Sequence, residues 1–123
     1  MDRKTVLIVD DEAAIRKLVI AVLGEEFVVV EAGDGEKAVA IAKTQKLDLI
    51  LMYLMMPKMD GYTACSAIKA DPATKTIPVV MITAVDSKFN KKLAQEVGGD
   101  GYIIKPFKPQ ELQKIVKDIL GSQ

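Results

Sequence analysis

Val6-Leu7-Ile8-Val9 runs directly into Asp10-Asp11-Glu12 and then into Ala13-Ala14-Ile15-Arg16-Lys17-Leu18-Val19. Four consecutive apolar residues, three of them β-branched, lack the polar alternation of a half-exposed strand and read as a strand covered on both faces. The acids mark its end. From Ala13 to Leu23 the residues Ile15, Leu18, Val19 and Val22 recur at the spacing of one helix face. Buried strand, acidic turn and amphipathic helix together form the repeating unit of an α/β protein with a parallel sheet.

The unit recurs four more times. Apolar runs at 27–30, 47–52, 77–82 and 101–104 each precede a segment of helical period. Ala38, Val39, Ile41 and Ala42 mark the second helix, after Asp34-Gly35. Gly61–Ala70 is the third, with Asp60 as its N-cap. A fourth spans 87–97 and ends at Gly98-Gly99, glycines suited to a left-handed terminus. The fifth opens with Pro109, carries Leu112, Ile115, Val116, Ile119 and Leu120 on one side, and stops at Gly121. Strict alternation with short connections implies right-handed crossovers and a three-layer αβα sandwich.

With 123 residues and no linker, repeat or low-complexity tract, residues 1–123 read as one domain. Seventeen basic residues balance seventeen acidic ones, so no net positive field exists to hold nucleic acid. The composition, 50% hydrophobic and 28% charged, is that of a globular chain and not of a membrane protein. Cys65 stands alone and no signal pattern precedes the first strand, from which a cytoplasmic location is expected. Histidine is absent, which removes most zinc sites, Ser/His hydrolases and phosphohistidine donors.

Ligands of open parallel sheets bind beyond the carboxyl ends of the strands, so the residues there carry the function. They are Asp10-Asp11-Glu12 after the first run, Tyr53 after the third, Thr83-Ala84 after the fourth and Lys105-Pro106 after the fifth. Adjacent carboxylates make a hard oxygen site suited to Mg²⁺. The plainer reading, that Asp11 or Glu12 only caps the first helix, is set second to metal. Lys105 is placed to deliver a point charge to a phosphate or carboxylate, and Thr83 to donate a hydroxyl to a phosphoryl oxygen. Alone, either would be an ordinary residue finishing a strand.

Taken in order, the segments 6–12, 48–61 (Asp48-Leu49-Ile50-Leu51-Met52-Tyr53-Leu54-Met55-Met56-Pro57-Lys58-Met59-Asp60-Gly61), Ile82-Thr83-Ala84 and 101–107 resemble the receiver domain of bacterial two-component response regulators. The similarity spans essentially the whole chain. It implies a flavodoxin-like sheet of five parallel strands in the order 2-1-3-4-5 with five helices. It further implies self-phosphorylation at an aspartate ending the third strand, with the phosphoryl group drawn from a sensor histidine kinase or phosphotransfer protein. By the same resemblance Asp10, Asp11 and the Met55 backbone carbonyl hold Mg²⁺, Lys105 contacts the acceptor, and Thr83 and Tyr102 form the switch. The Lys105-Pro106 bond is expected to be cis. A downstream protein would be met on the face of the fourth helix, fifth strand and fifth helix. An apolar patch around Phe89, Val97 and Tyr102 there leaves the chain a monomer or weak dimer.

The acceptor lies four residues before the proline of Met55-Met56-Pro57, and that position is Tyr53. A phenol is neutral at pH 7, offers no carboxylate to Mg²⁺ and cannot form an acyl phosphate. Phosphotransfer is therefore expected to fail and Mg²⁺ binding to weaken. Because Asp10, Asp11, Thr83 and Lys105 are all present, a substituted or locked form of a competent receiver is preferred to a natural pseudo-receiver that only docks proteins. The Tyr53 hydroxyl is expected to bond Lys105 or an aspartate, and its ring to block the site or push Thr83 toward an active-like arrangement. Asp60 is the nearest substitute acceptor but reads as a cap. Met55 and Val85 flank the approach of water, Met55, Met56 and Met59 read as loop packing, and Cys65 is expected under the third helix. A flavin carrier is excluded by acids where a phosphate loop belongs. An aspartate-nucleophile phosphatase is excluded because its two acids stand one residue apart.

Overall fold

The computed structural model of the chain describes residues 3–84 and 88–121, and for 88–90 the backbone only. Val85 and Ser87, which the sequence placed beside the site and at the start of the fourth helix, lie outside the described residues, as does the Phe89 side chain. The elements alternate strictly: β1 (Thr5–Val9), α1 (Ala13–Leu23), β2 (Val28–Ala32), α2 (Gly35–Thr44), β3 (Leu49–Tyr53), α3 (Gly61–Ala70), β4 (Val79–Thr83), α4 (Lys88–Glu96), β5 (Gly101–Ile104) and α5 (Pro109–Leu120). All strand pairs are parallel and the sheet order is β2-β1-β3-β4-β5. This is the flavodoxin-like arrangement the resemblance implied.

The pleat divides each central strand between two cores. Val6 and Ile8, Leu49 and Leu51, and Val80 and Ile82 pack with Val19 and Leu23 of α1 and Leu112 and Val116 of α5. Leu7 and Val9, Ile50 and Met52, and Val79 and Met81 pack with Ala38 of α2, Ala64, Cys65 and Ile68 of α3, and Ala94 of α4. The helices therefore cover both faces of β1, β3 and β4, and the unbroken apolar runs are explained. β2 departs from that expectation. It pairs only with β1, and Val28 is 39% exposed. Leu18, expected on the inner face of α1, is also exposed; it lines a groove with Ile15, Ala84, Pro106 and Phe107.

Helix ends follow local chemistry. The Asp34 and Asp60 carboxylates accept the backbone N–H groups of Lys37 and Thr63 at 2.9 and 2.8 Å, capping α2 and α3. Glu12 stands at the N-cap of α1 but makes no side-chain cap bond. Gly98 and Gly121 hold positive φ values of 93° and 80° after α4 and α5. Three strands sit one or two residues later than their apolar runs. Phe27, Leu47 and Ile77 are buried before the ladder begins, whereas Tyr53 and Thr83 are polar-tipped residues still inside it.

Candidate functional site

Alternation decides which side chains meet at the carboxyl edge. Asp10 continues the series Val6, Ile8; Tyr53 continues Leu49, Leu51; Lys105 continues Ile103, and all three series face α1 and α5, with Tyr53 at its strand end also packed against the opposite core. The register Val9–Met52 brings Asp10 beside Tyr53 one step further on. Thr83 continues Val79 and Met81, and Tyr102 is packed against the opposite core with them. The five candidates thus divide into two groups on either side of the sheet.

The first group closes on one cation. Lys105 Nζ lies 2.9 Å from Asp10 Oδ2 and 3.4 Å from Glu12 Oε1. It also stands over the Tyr53 ring, 3.5 Å from the centroid. Asp10 is fully buried; its Oδ1 accepts the Glu12 N–H at 2.9 Å, while Oδ2 has the ion-pair contact but no hydrogen bond of good geometry. The Lys105 side chain is only 10% exposed. Its backbone N–H donates to the Thr83 carbonyl at 2.6 Å, and its bond to Pro106 is cis, as the resemblance implied.

Burial raises the Asp10 carboxyl above its ordinary range, against the pull of Lys105 and the Glu12 N–H and with a further push from Asp11. Burial also works against the Lys105 ammonium. There, however, the contacts with Asp10, Tyr53 and Glu12 together outweigh it, and the pKa of Lys105 ends above its ordinary value. The two partners shift the same way because desolvation dominates for the acid and pairing for the base.

Several expectations are revised by this geometry. Tyr53 meets Lys105 through its ring face, in place of the hydroxyl hydrogen bond foreseen. Asp11 is exposed and stands outside the Lys105 contacts. Met55 is 66% exposed and so does not pack its loop, although Met56 and Met59 do. Glu12, read only as a cap or helix-end charge, reaches Lys105 instead. Arg16 was missed altogether: its Nη1 donates to the Asp10 carbonyl at 2.7 Å while Nε pairs with Glu31 at 3.0 Å, bracing the acidic turn against β2. A lone arginine one turn into a helix carries no signal of that role. Cys65 is buried beneath α3, and its thiol donates to the Val97 carbonyl at 3.4 Å. Asp60 is engaged as a cap. Thr83 is buried and Tyr102 half-buried.

The donor set can be compared with what Mg²⁺ requires. Asp10 Oδ2 already faces an ammonium, Oδ1 takes a backbone N–H, and position 53 contributes a ring. Among the described residues no group of three His, Cys, Asp or Glu side chains is gathered to hold a metal ion. As arranged, these residues do not fit the ion.

A doubly wound parallel sheet with an acid pair after its first strand and a lysine before a cis-proline after its last defines a signalling module of the receiver type. Residues 6–117 match the model of the response regulator receiver domain, and the chain belongs to that family. Among curated proteins it is 41% identical over 118 residues to the alkaline phosphatase synthesis transcriptional regulatory protein PhoP of Bacillus subtilis (strain 168), covering 95% of this chain and 48% of the relative. It is 42% identical over 117 residues to the probable transcriptional regulator ycf27 of Cyanidium caldarium, covering 93% and 45%. The chain thus spans about half the length of these relatives.

Among solved structures it is similar to the chemotaxis protein CheY4 of Vibrio cholerae, with a TM-score of 0.92, 32% identity, and coverage of 97% and 100%. It is also similar to the receiver domain of the sensor histidine kinase PA1611 of Pseudomonas aeruginosa PAO1, with a TM-score of 0.90, 31% identity, and coverage of 98% and 100%; that structure carries a magnesium ion coordinated in its active-site cleft. Receiver domains are two-component signalling modules, not enzymes in the ordinary sense, and interact with histidine kinases and downstream targets. No helix among the described residues is long and apolar enough to cross a membrane.

Proposed function

We propose that residues 1–123 form one receiver domain in which Tyr53 occupies the phosphoacceptor position, so that the chain no longer takes a phosphoryl group from its kinase or phosphotransfer partner. The observation that carries this reading is the Tyr53 ring beneath the Lys105 ammonium, with Asp10 on the other side of the same cation. In a competent receiver a carboxylate oxygen attacks phosphorus, an acyl phosphate forms, and the donor's nitrogen or carboxylate leaves with the electron pair. Tyr53 has no carboxylate, and its neutral phenol is a poor nucleophile at pH 7.

Asp10, Asp11, Thr83 and Lys105 are all retained, which favours a substituted or locked form of an otherwise competent receiver. With aspartate restored at 53, Asp10, Asp11 and the Met55 carbonyl would hold Mg²⁺, which supplies charge neutralisation for phosphoryl transfer. Thr83 and Tyr102, on the other side of the sheet, are assigned to the switch. The face of α4, β5 and α5 is assigned to a downstream protein, in a cytoplasmic monomer or weak dimer without direct nucleic-acid contact.

The test is intact mass after incubation with Mg²⁺ and acetyl phosphate, on the unmodified chain and on Tyr53→Asp together. A phosphoryl adduct on Tyr53→Asp alone is the expected result. An adduct on the unmodified chain refutes the reading of Tyr53. No adduct on either transfers the assignment to the second reading, a phosphorylation-independent docking module, which the saturated coordination of Lys105 favours.

A further inference from the structure

The mismatch between the donor set and Mg²⁺ has a structural cause, and it rests on the reading of position 53 given above. Three carboxylates and one lysine at such an edge would sum to a charge of −2, which one divalent cation balances. With Tyr53 in the third place that edge has one carboxylate fewer, and the buried Asp10 carboxylate already has its cation at 2.9 Å. The acid that remains, Asp11, is exposed.

The Tyr53 ring contributes more than the loss of an acid. It gives the ammonium a π face at 3.5 Å where an aspartate would have offered a competing negative charge, so nothing on that side draws Lys105 away from Asp10. Glu12 closes a third side at 3.4 Å. The Lys105 backbone, held to the Thr83 carbonyl, keeps the side chain from withdrawing. An ion ligated by Asp10 Oδ2 at about 2.1 Å would lie within about 5 Å of Nζ, the sum of the two contacts, and would share that one oxygen with the ammonium.

We propose that Asp10, Lys105 and Tyr53 form an internal cation site in which the Lys105 ammonium takes the place of the divalent metal. The receiver is thereby closed to Mg²⁺ as well as to phosphate. Its buried carboxylate is neutralised from within, and the state it presents to partners is independent of both magnesium concentration and kinase activity.

The test follows the thermal midpoint of unfolding while MgCl₂ is raised into the tens of millimolar against NaCl of equal ionic strength, for the unmodified chain, Tyr53→Asp and Lys105→Met. Magnesium-induced amide shifts of residues 10–13 in the unmodified chain are followed alongside, and need no substitution. The expected result is no magnesium-specific shift in the unmodified chain and a rise of several degrees in Tyr53→Asp. A rise in Lys105→Met is expected too, because the metal then replaces the lost ammonium beside Asp10. Saturable amide shifts in the unmodified chain overturn the proposal, as does indifference of a folded Lys105→Met. If Tyr53→Asp accepts phosphate while the unmodified chain binds Mg²⁺, the proposal alone fails. If Tyr53→Asp binds Mg²⁺ yet accepts no phosphate, the reading of position 53 fails while the internal cation site stands.

Discussion

Replacing Lys105 by methionine removes the cation paired at 2.9 Å with a carboxylate that is fully buried. Breaking such a pair from one side leaves a charge without compensation, at a cost of about 3–5 kcal/mol. That is a large part of the roughly 5–15 kcal/mol that holds an ordinary domain together. Asp10→Asn should be milder, about 1–3 kcal/mol, because the ammonium keeps Glu12 at 3.4 Å and the Tyr53 face. The double variant removes both charges and should cost about 2 kcal/mol less than the sum of the singles.

The acid branch gives an internal check on sign. Asp10 already has a raised pKa, and without Lys105 it loses its strongest downward influence. A native carboxyl that holds its proton more tightly than the unfolded chain makes stability highest at low pH and lower as pH rises through the native pKa. The penalty of Lys105→Met must therefore shrink on acidification. Urea unfolding in metal-free buffer, followed by far-ultraviolet dichroism, measures all four proteins; there is no tryptophan to report. Single effects that add to within about 0.5 kcal/mol, or a penalty that grows on acidification, would refute the buried pair as described.

Two further outcomes follow from other parts of the fold. Burial pushes the Cys65 thiol up to about 11 from 9.0, so the unfolded chain ionises first; stability intact below pH 9 should fall by roughly 2 kcal/mol towards pH 11, relative to Cys65→Ala. A pH-independent difference between these two proteins in denaturant midpoint would contradict it. A Cβ on Gly61 would stand 2.4 Å from the Tyr53 carbonyl oxygen and 2.9 Å from the Leu54 Cα, both rigid backbone. Gly61→Ala should cost about 1–3 kcal/mol and shift the Tyr53 and Leu54 amides in NMR spectra, and an unperturbed spectrum would argue against that close approach.

The helices were more legible than the strands. α1, α3 and α5 fall where their periodicity and punctuation put them, because Asp60, Pro109 and Gly121 act locally. Apolar runs report burial, not pairing. Leu47 and Ile77 are core residues ahead of their strands, while Glu31, Tyr53 and Thr83 belong to the ladder despite their polar tips. At the site, the residues themselves were readable from their place after each strand. Their contacts were not: whether Lys105 turns to the phenol oxygen or sits over the ring depends on where Asp10 and Glu12 already hold it. The exposure of Asp11 beside the burial of Asp10 is a consequence of the pleat, which two adjacent letters do not display.

The division of the edge residues by the sheet has a mechanical meaning. Lys105 faces α1 and α5, whereas Tyr102, three residues earlier in the chain, packs toward α3 and α4. Thr83 belongs to the second side through its side chain and to the first through its carbonyl, which holds the Lys105 N–H. The sheet is therefore a partition one residue thick with a hinge pin through it. Whatever fixes the lysine on one side also fixes the backbone from which the residues on the other side hang.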